Sequence, residues 1–573
     1  MKSDILRKVL AGAMAIAMVA GTGVCTAVGD VFGTSLTVSA ANTITEGDYE
    51  YQINGQGTVT IVKYLGSNLD VTIPSKIADT VVEEIGNNAF RESKITSVKF
   101  PSTLKKIGDA AFYRCYYLKN VTFPSGLYSI GQSAFEECYN MTKVVLPDTV
   151  TELKNYAFKH CHGVTSVTLS QGMSNIPSEA FYYTNITEIT IPDKVEKINN
   201  SAFYSCRNLK TVNFGENSAL TGINYQAFCN CSALESFVCP PSLEYIDSHA
   251  FFDCRSLTSV TFNDMLKRIG YNVFQNCVSL TSVTFPSNIE YIDSNSFRGC
   301  TALTEVHTGG LQRIYNSAFK DCISLKNVYC GEALNRIDNE AFYNTPSLVN
   351  FYNIPNQYIY LEDHALDASG WMDLQPDGIV YFGGVVYAVK GKVENVVLKK
   401  GTLWINDTAL KHSSGIKSIH IPSSIITSKT PSFTGIFNKC GNTLESITFD
   451  EDDTRYSSVD GVVYSKDKKT MLYCPRAKAG SVTLPDVTET INSDALEYCN
   501  NITELNLSKN TRSFDSNDLT LYMKNLDAVN VPSTNTNFSS VDGVLYNKTK
   551  TYLYFYPKNK AGAYTMPDTL SDT

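Results

Sequence analysis

The chain has 573 residues, with 48 Lys and Arg against 57 Asp and Glu, a net charge of −9, and 43% hydrophobic and 18% charged residues. Those proportions exclude a disordered chain, a collagen and a charge-driven coiled coil, and the acidic balance excludes a nucleic-acid binder that works through phosphate contacts. Thirty-four Tyr and 16 Cys stand beside only 2 Trp, and the low charge and high Tyr, Thr and Ser content suit a β-rich extracellular surface better than a cytosolic enzyme.

Residues 1–40 read as a secretion signal. Lys2, Arg7 and Lys8 form a basic start, no charge falls between Val9 and Gly29, and Val38-Ser39-Ala40 offers small residues for cleavage before Ala41. The same uncharged run is long enough for a membrane anchor, but its Gly and Thr interruptions favour cleavage. After residue 41 no segment reads as a membrane span, so no membrane insertion is expected once the signal is removed.

From residue 87 to 355 one pattern repeats. A Phe, mostly preceded by Ala, recurs at 90, 112, 135, 158, 181, 203, 228, 251, 274, 297, 319 and 342, at spacings of 22 to 25 residues. A period in this range signals a solenoid of the leucine-rich-repeat type, each unit being one coil that buries its apolar face only against its neighbours. In the unit Ile269 to Pro286, Ile269, Val273 and Phe274 are spaced as in a short helical turn, whereas Val283 and Phe285 alternate as in a strand. Pro286 ends that strand, because proline cannot donate to a ladder. A second short strand is expected to end at Ile292.

Cysteines keep the same phase. Cys115, Cys138, Cys161, Cys206, Cys231, Cys254, Cys277, Cys300 and Cys322 each follow the repeat Phe by three residues. Secretion suggests disulfides, and stacked coils could bring these cysteines within bridging reach. Ser93, Thr184 and Thr345 occupy the same position in other units, however, which a small buried polar plug permits and a bridge does not. Buried free thiols are therefore expected. His160-Cys161-His162 reads as a repeat cysteine between surface histidines, and no Cys-x-x-Cys is present.

The unit Ile-x-x-x-Ala-Phe-x-x-Cys-x-x-Leu-x-x-Val-x-Phe-Pro resembles the BspA-type leucine-rich repeat of bacterial surface proteins. Tyr49 to Ile53, Val71 to Pro74 and Val81 to Ile85 resemble the β cap that opens such arrays, placing a cap over 41–86. The resemblance implies an exported solenoid for adhesion or other extracellular binding, with no cofactor.

Residues 356–573 read as degenerate repeats with inserted β-hairpins. Ala365-Leu366, Ala409-Leu410 and Ala495-Leu496 keep the turn with Leu in place of Phe. Val459-Asp-Gly-Val-Val-Tyr464 with Met471 to Pro475 has a copy in Val541-Asp-Gly-Val-Leu-Tyr546 with Leu553 to Pro557. Apolar alternation about Asp-Gly predicts paired strands, and Gly383 to Tyr387 is a looser relative. The chain stops at Met566 to Thr573, where a further turn would be expected.

Catalytic signatures are missing: no Gly-x-Ser-x-Gly, His-Glu-x-x-His or Gly-x-x-x-x-Gly-Lys occurs. Asp450-Glu451-Asp452-Asp453 has oxygen ligands for a hard cation, but its spacing fits no calcium loop and a solvated acidic turn is the simpler reading. Asn-x-Ser/Thr triplets at Asn120, Asn140 and Asn185 fall out of the repeat and imply glycosylation only in a eukaryotic producer.

Two stripes are candidates for binding. The outward strand position runs from Lys99 and Thr122 through Thr284 to His307, Tyr329 and Tyr352. It is a β-favouring soluble face for most of its length, with the aromatic end the best ligand surface. The residue before each inward Ile is Tyr245, Arg268, Tyr291, Arg313 and Arg336 in successive coils, a cation and ring series suited to anionic or sugar ligands. The plainer alternative is that these side chains cover apolar surface and flank Asp247, Asp293 and Asp338. The reading is a secreted or cell-surface, noncatalytic solenoid that binds an extracellular protein or glycan, with a ligandless spacer as the alternative.

Overall fold

The computed structural model describes residues 43–571 apart from 290, 412, 414, 426–432 and 516; the secretion signal at 1–40 lies outside the described residues. From Thr45 onward the chain is one compact unit, a β-solenoid of about twenty coils. Each regular coil contributes two short strands, and most of these strands pair in parallel and in register with their counterparts in the next coil, the ladders being interrupted at a few coil junctions. One ladder runs Ser282, Glu305, Asn327 and Asn350, and the other runs Tyr245, Arg268, Tyr291, Arg313, Arg336 and Tyr360. Along Ser282–Thr284, Val283 is buried while Thr284 is exposed, so alternation sets which side chain meets the core.

The segment around each repeat Phe, spaced like a helical turn, is not helical. Asn272 and Asn276 adopt φ of 59° and 62°, and the same left-handed pair, four residues apart, recurs at Ala110 and Arg114 and at Tyr156 and His160. A left-handed residue in every turn breaks an α-helix, and each non-glycine one costs about 1 kcal/mol. The cost is offset by hydrogen bonds to the next coil: Asn272 N–H donates to Ser294 O (3.1 Å), Phe274 N–H to Ser296 O (2.7 Å) and Asn276 N–H to Arg298 O (2.9 Å). Between them, Gln275 and Cys277 N–H donate within their own turn, to Asn272 O and Phe274 O. Backbone donors thus alternate between closing the turn and stitching coils. The α-helices among the described residues are five or six residues long and begin at Gly370, Phe433 and Asn517.

Stitched coils place equivalent side chains above one another. The twelve repeat phenylalanines form one stacked column with centroids 4.9 to 5.7 Å apart, which Tyr64 extends at 5.0 Å from Phe90. Beside it, all nine repeat cysteines are buried and free. Each thiol reaches the carbonyl of the Phe one coil back: Cys115 Sγ lies 3.0 Å from Phe90 O, and Cys277 Sγ lies 3.3 Å from Phe251 O. Thr184 and Thr345 instead donate to their own Phe181 O (2.9 Å) and Phe342 O (2.7 Å). The position demands a small donor for a carbonyl, which thiol and hydroxyl both supply.

One apolar core runs from Tyr51 to Ala388 and two further clusters fill the degenerate coils. The expected hairpins are present: Gly378–Phe382 with Val385–Lys390, Tyr456–Val459 with Val462–Ser465, and Phe538–Val541 with Val544–Asn547. Asp460 and Gly461 (φ 50° and 79°) and Asp542 and Gly543 (φ 48° and 80°) make the tight turns that Asp-Gly favours. In the first hairpin Val385 and Tyr387 enter one core and Val386 and Val389 the next. That strand is a partition buried on both faces, which explains its unbroken apolar run.

Candidate binding surface

Parallel register brings Tyr245, Arg268, Tyr291, Arg313 and Arg336 into one line, each opposite the next. Their side chains then diverge in role. Asp338, 1% exposed at its side chain, accepts from Arg313 Nη2 at 2.7 Å and from Arg336 Nε at 2.6 Å. Arg336 also pairs with Glu362. Burial disfavours the charge on Arg336, but hydrogen bonds to Asp338 and Glu362 outweigh it and push its pKa up. Arg313 lies over the Tyr315 ring at 3.9 Å and Arg336 over Tyr360 at 4.9 Å. Both guanidinium groups are spent on their own solenoid. Arg268 is exposed, while the Tyr245 hydroxyl donates to Asn224 Oδ1 at 3.0 Å and Tyr291 packs against Tyr315 at 5.5 Å.

The other ladder carries His307, Tyr329 and Tyr352 in register. Their rings stack at centroid distances of 4.2 Å and 4.8 Å, with interplanar angles of 6° and 17°. Tyr352 is 41% exposed, and Glu305 lies 3.7 Å from His307 Nε2. Because the rings cover one another's faces, the ladder offers ring edges and hydroxyl groups to a partner, with free faces only at its two ends. The two stripes lie on different ladders and so do not form one site.

A third aromatic column escaped the sequence reading. Tyr116, Tyr139 and His162 each stand four residues after a repeat Phe and stack at 5.1 Å and 5.3 Å. It continues beside His160 on Tyr183 at 5.4 Å and Tyr182 on Tyr204 at 4.7 Å. Burial, then Lys159 and His162, lower the His160 pKa, whereas burial and then Glu137 push the Tyr139 hydroxyl up to about 12. Its signal in the sequence is the shared register of Tyr116, Tyr139 and His162, four residues after Phe112, Phe135 and Phe158.

The acidic turn at 450–453 is solvated only in part: Glu451 and Asp452 are exposed, as expected, but Asp450 and Asp453 are engaged. Asp453 is buried and pairs with Arg455 at 2.7 Å, and Asp450 accepts from Ser423 N–H at 3.1 Å and lies 3.0 Å from His420 Nε2. The Asp450 contacts, Ser423 first, hold its carboxyl below the usual range. These carboxylates lock a turn. Among the described residues no group of three or more His, Cys, Asp or Glu could hold a metal ion, and no helix is long and apolar enough to cross a membrane.

No curated protein matches the chain. A leucine-rich cell surface protein from Faecalibacterium prausnitzii is 28% identical, covers 50% of this chain and 94% of its own, and superposes with a TM-score of 0.33. A leucine-rich repeat protein from Bacteroides ovatus is 18% identical over 85% of this chain and 99% of its own, with a TM-score of 0.48. The pneumococcal vaccine antigen PcpA is 16% identical over 86% and 99%, with a TM-score of 0.34. The BspA-type leucine-rich-repeat family model matches residues 83–210, 221–349, 307–371, 376–459 and 469–550. With most of its length matched in repeated copies, the chain belongs to the BspA-type leucine-rich-repeat family.

Proposed function

We propose that this chain is an exported, noncatalytic recognition protein of the cell surface, which binds an extracellular protein or glycan through the edge of the His307–Tyr329–Tyr352 ladder. The observation that carries the reading is that stack: three outward aromatic side chains held at 4.2 and 4.8 Å on a hydrogen-bonded sheet. Rings fixed before contact lose little freedom on binding, and tyrosine is enriched among residues that dominate interface energy. The exposed hydroxyl edge suits polar groups on a protein surface, while the uncovered terminal faces suit a sugar ring. Arg313 and Arg336 contribute less than their charge suggests, because a ligand anion must compete with the buried Asp338.

The test is solid-phase binding to a panel of matrix proteins and glycans, with a Tyr329→Ala, Tyr352→Ala double variant beside the wild type. Saturable binding is expected to weaken by roughly 30-fold in the variant, matching a loss of about 2 kcal/mol at a hot spot, and to persist in Arg336→Ala. Equal binding by the double variant removes the ladder from the site. Binding to nothing favours a spacer, a reading supported by the unbroken column of stacked phenylalanines.

A further inference from the structure

The column of coils begins with a shortened turn. Tyr64 takes the repeat Phe position, its ring stacked on Phe90, but only seven residues separate it from Val71, against nine from Phe112 to Val121 and from Phe135 to Val144. The missing length leaves a cavity of about 350 Å³ between the segments 63–69 and 88–95, within the size range of small-molecule sites, about 300 to 1,000 Å³. Three cations line it, Lys63, Arg91 and Lys94, and the nearest carboxylate, Asp48, packs against Gly66 without being among the lining residues. Arg91 is engaged by Glu92 at 3.5 Å and by the Tyr113 ring at 4.4 Å, whereas Lys63 and Lys94 form no ion pair among the described residues.

Uncommitted donors accompany the charges. The N–H groups of Gly66, Ser67, Asn68 and Leu69, four in succession, have no acceptor among the described residues. Ser93 occupies the position at which nine other coils carry a thiol bonded to the preceding coil. Its hydroxyl makes no such bond, and Ser93 lines the cavity. With Ser67, Asn68 and Asn88 also in the wall, the lining combines an anion site with several hydroxyl and amide groups. A bare inorganic anion would leave those groups idle and most of the volume unfilled. A sugar ring carrying one oxyanion uses both.

We propose that this cavity is a subsite for an acidic saccharide unit, its carboxylate or sulfate held by Lys63, Lys94 and the free N–H groups of Gly66–Leu69, and its hydroxyls by Ser67, Asn68, Asn88 and Ser93. The site is separate from the aromatic ladder and stands whether or not the ladder binds a partner. On a chain of net charge −9, such a ligand needs a local cluster of positive charge of this kind.

Calorimetric titration of the protein tests it, with a hyaluronan tetrasaccharide (carboxylate only), a heparin tetrasaccharide (sulfate and carboxylate), chitotetraose (neutral) and sulfate ion. At least one acidic tetrasaccharide is expected to bind and chitotetraose to fail, and the better of the two acids identifies the oxyanion. Lys63→Gln with Lys94→Gln should weaken binding by about tenfold or more, since each charge-assisted hydrogen bond lost costs about that factor; Lys63→Arg with Lys94→Arg should largely retain it, and Tyr329→Ala should leave it unchanged. Both lysines are exposed, so an unaltered melting curve is expected for either pair. The proposal is overturned if neither acid binds, if the Gln pair binds as well as the wild type, or if sulfate ion binds as tightly as the tetrasaccharides. Wild-type affinity that does not fall between about 20 and 200 mM salt overturns it equally.

Discussion

Raising the pH from 8 to 10 under reducing conditions is expected to destabilise this protein steeply. The cause is the cysteine column. Burial pushes Cys115 and Cys206 up to about 12 and Cys138, Cys231, Cys254 and Cys300 well above the ordinary thiol value. In the unfolded chain the same thiols ionise near 8.5. A group whose folded pKa is raised contributes its full stability below the unfolded value and loses it as pH climbs toward the folded one. Each buried thiol therefore costs about 2 kcal/mol at pH 10, and nine of them about 18 kcal/mol, a large part of the stability expected for a unit of this length at about 0.05–0.15 kcal/mol per residue. Denaturant midpoints measured every half unit from pH 7 to 10.5 should fall steeply above about 8.5. A Cys254→Thr, Cys277→Thr, Cys300→Thr variant, using the residue that already serves at 184 and 345, should lose about a fifth of that slope, because Cys229, Cys239, Cys330, Cys440 and Cys474 are buried thiols with raised pKa as well. A midpoint flat to pH 10 would refute the account.

Asp338→Ala is the second large effect. The Asp338 carboxylate is enclosed and answers two guanidinium groups at once, Arg313 through Nε and Nη2 and Arg336 through Nε. Truncating one member of a buried ionic group leaves the others uncompensated, which costs about 3 to 5 kcal/mol. Asp338→Asn keeps the volume and one acceptor oxygen, and should fall between wild type and Ala. Combining Asp338→Ala with Arg313→Ala should cost less than the two single changes added together, because removing one cation relieves the other. Chemical denaturation of the wild type and the four variants gives the comparison, and a loss under about 1 kcal/mol for Asp338→Ala would mean the arginines turn outward freely.

The Phe and Cys phase, the parallel ladders and the hairpins were legible because each depends on spacing alone. A residue that recurs every 22 to 25 positions must stack on its copies once coils form. The register of the Arg and Tyr stripe was legible for the same reason. What its side chains do was not, because Asp338 draws Arg313 inward across a full coil while Arg268 stays exposed, and spacing carries no information about direction. The helical turn was misjudged for a related reason. Ala110, Tyr156 and Tyr183 have no preference for the left-handed region they occupy, and the next coil, rather than the local sequence, imposes it. The short first turn after Tyr64 was visible as a count, but its consequence, an opening with idle donors, requires the neighbouring coil to be in place.

The alternation of backbone donors between turn and neighbour has a mechanical side. In the regular array the backbone bonds from one turn to the next run along the direction in which coils accumulate and recur in similar sets, while the strand ladders beside them are interrupted at some junctions. Tension applied to the two ends of the array therefore pulls on these bonds in succession, so the ladder peels coil by coil from its weaker end. Each release lengthens the chain by one repeat, about 80 Å of extended backbone for 23 residues, in exchange for a single strand spacing of about 4.8 Å. A tether built this way absorbs a sudden load by lengthening in many equal steps and re-forms as the load falls.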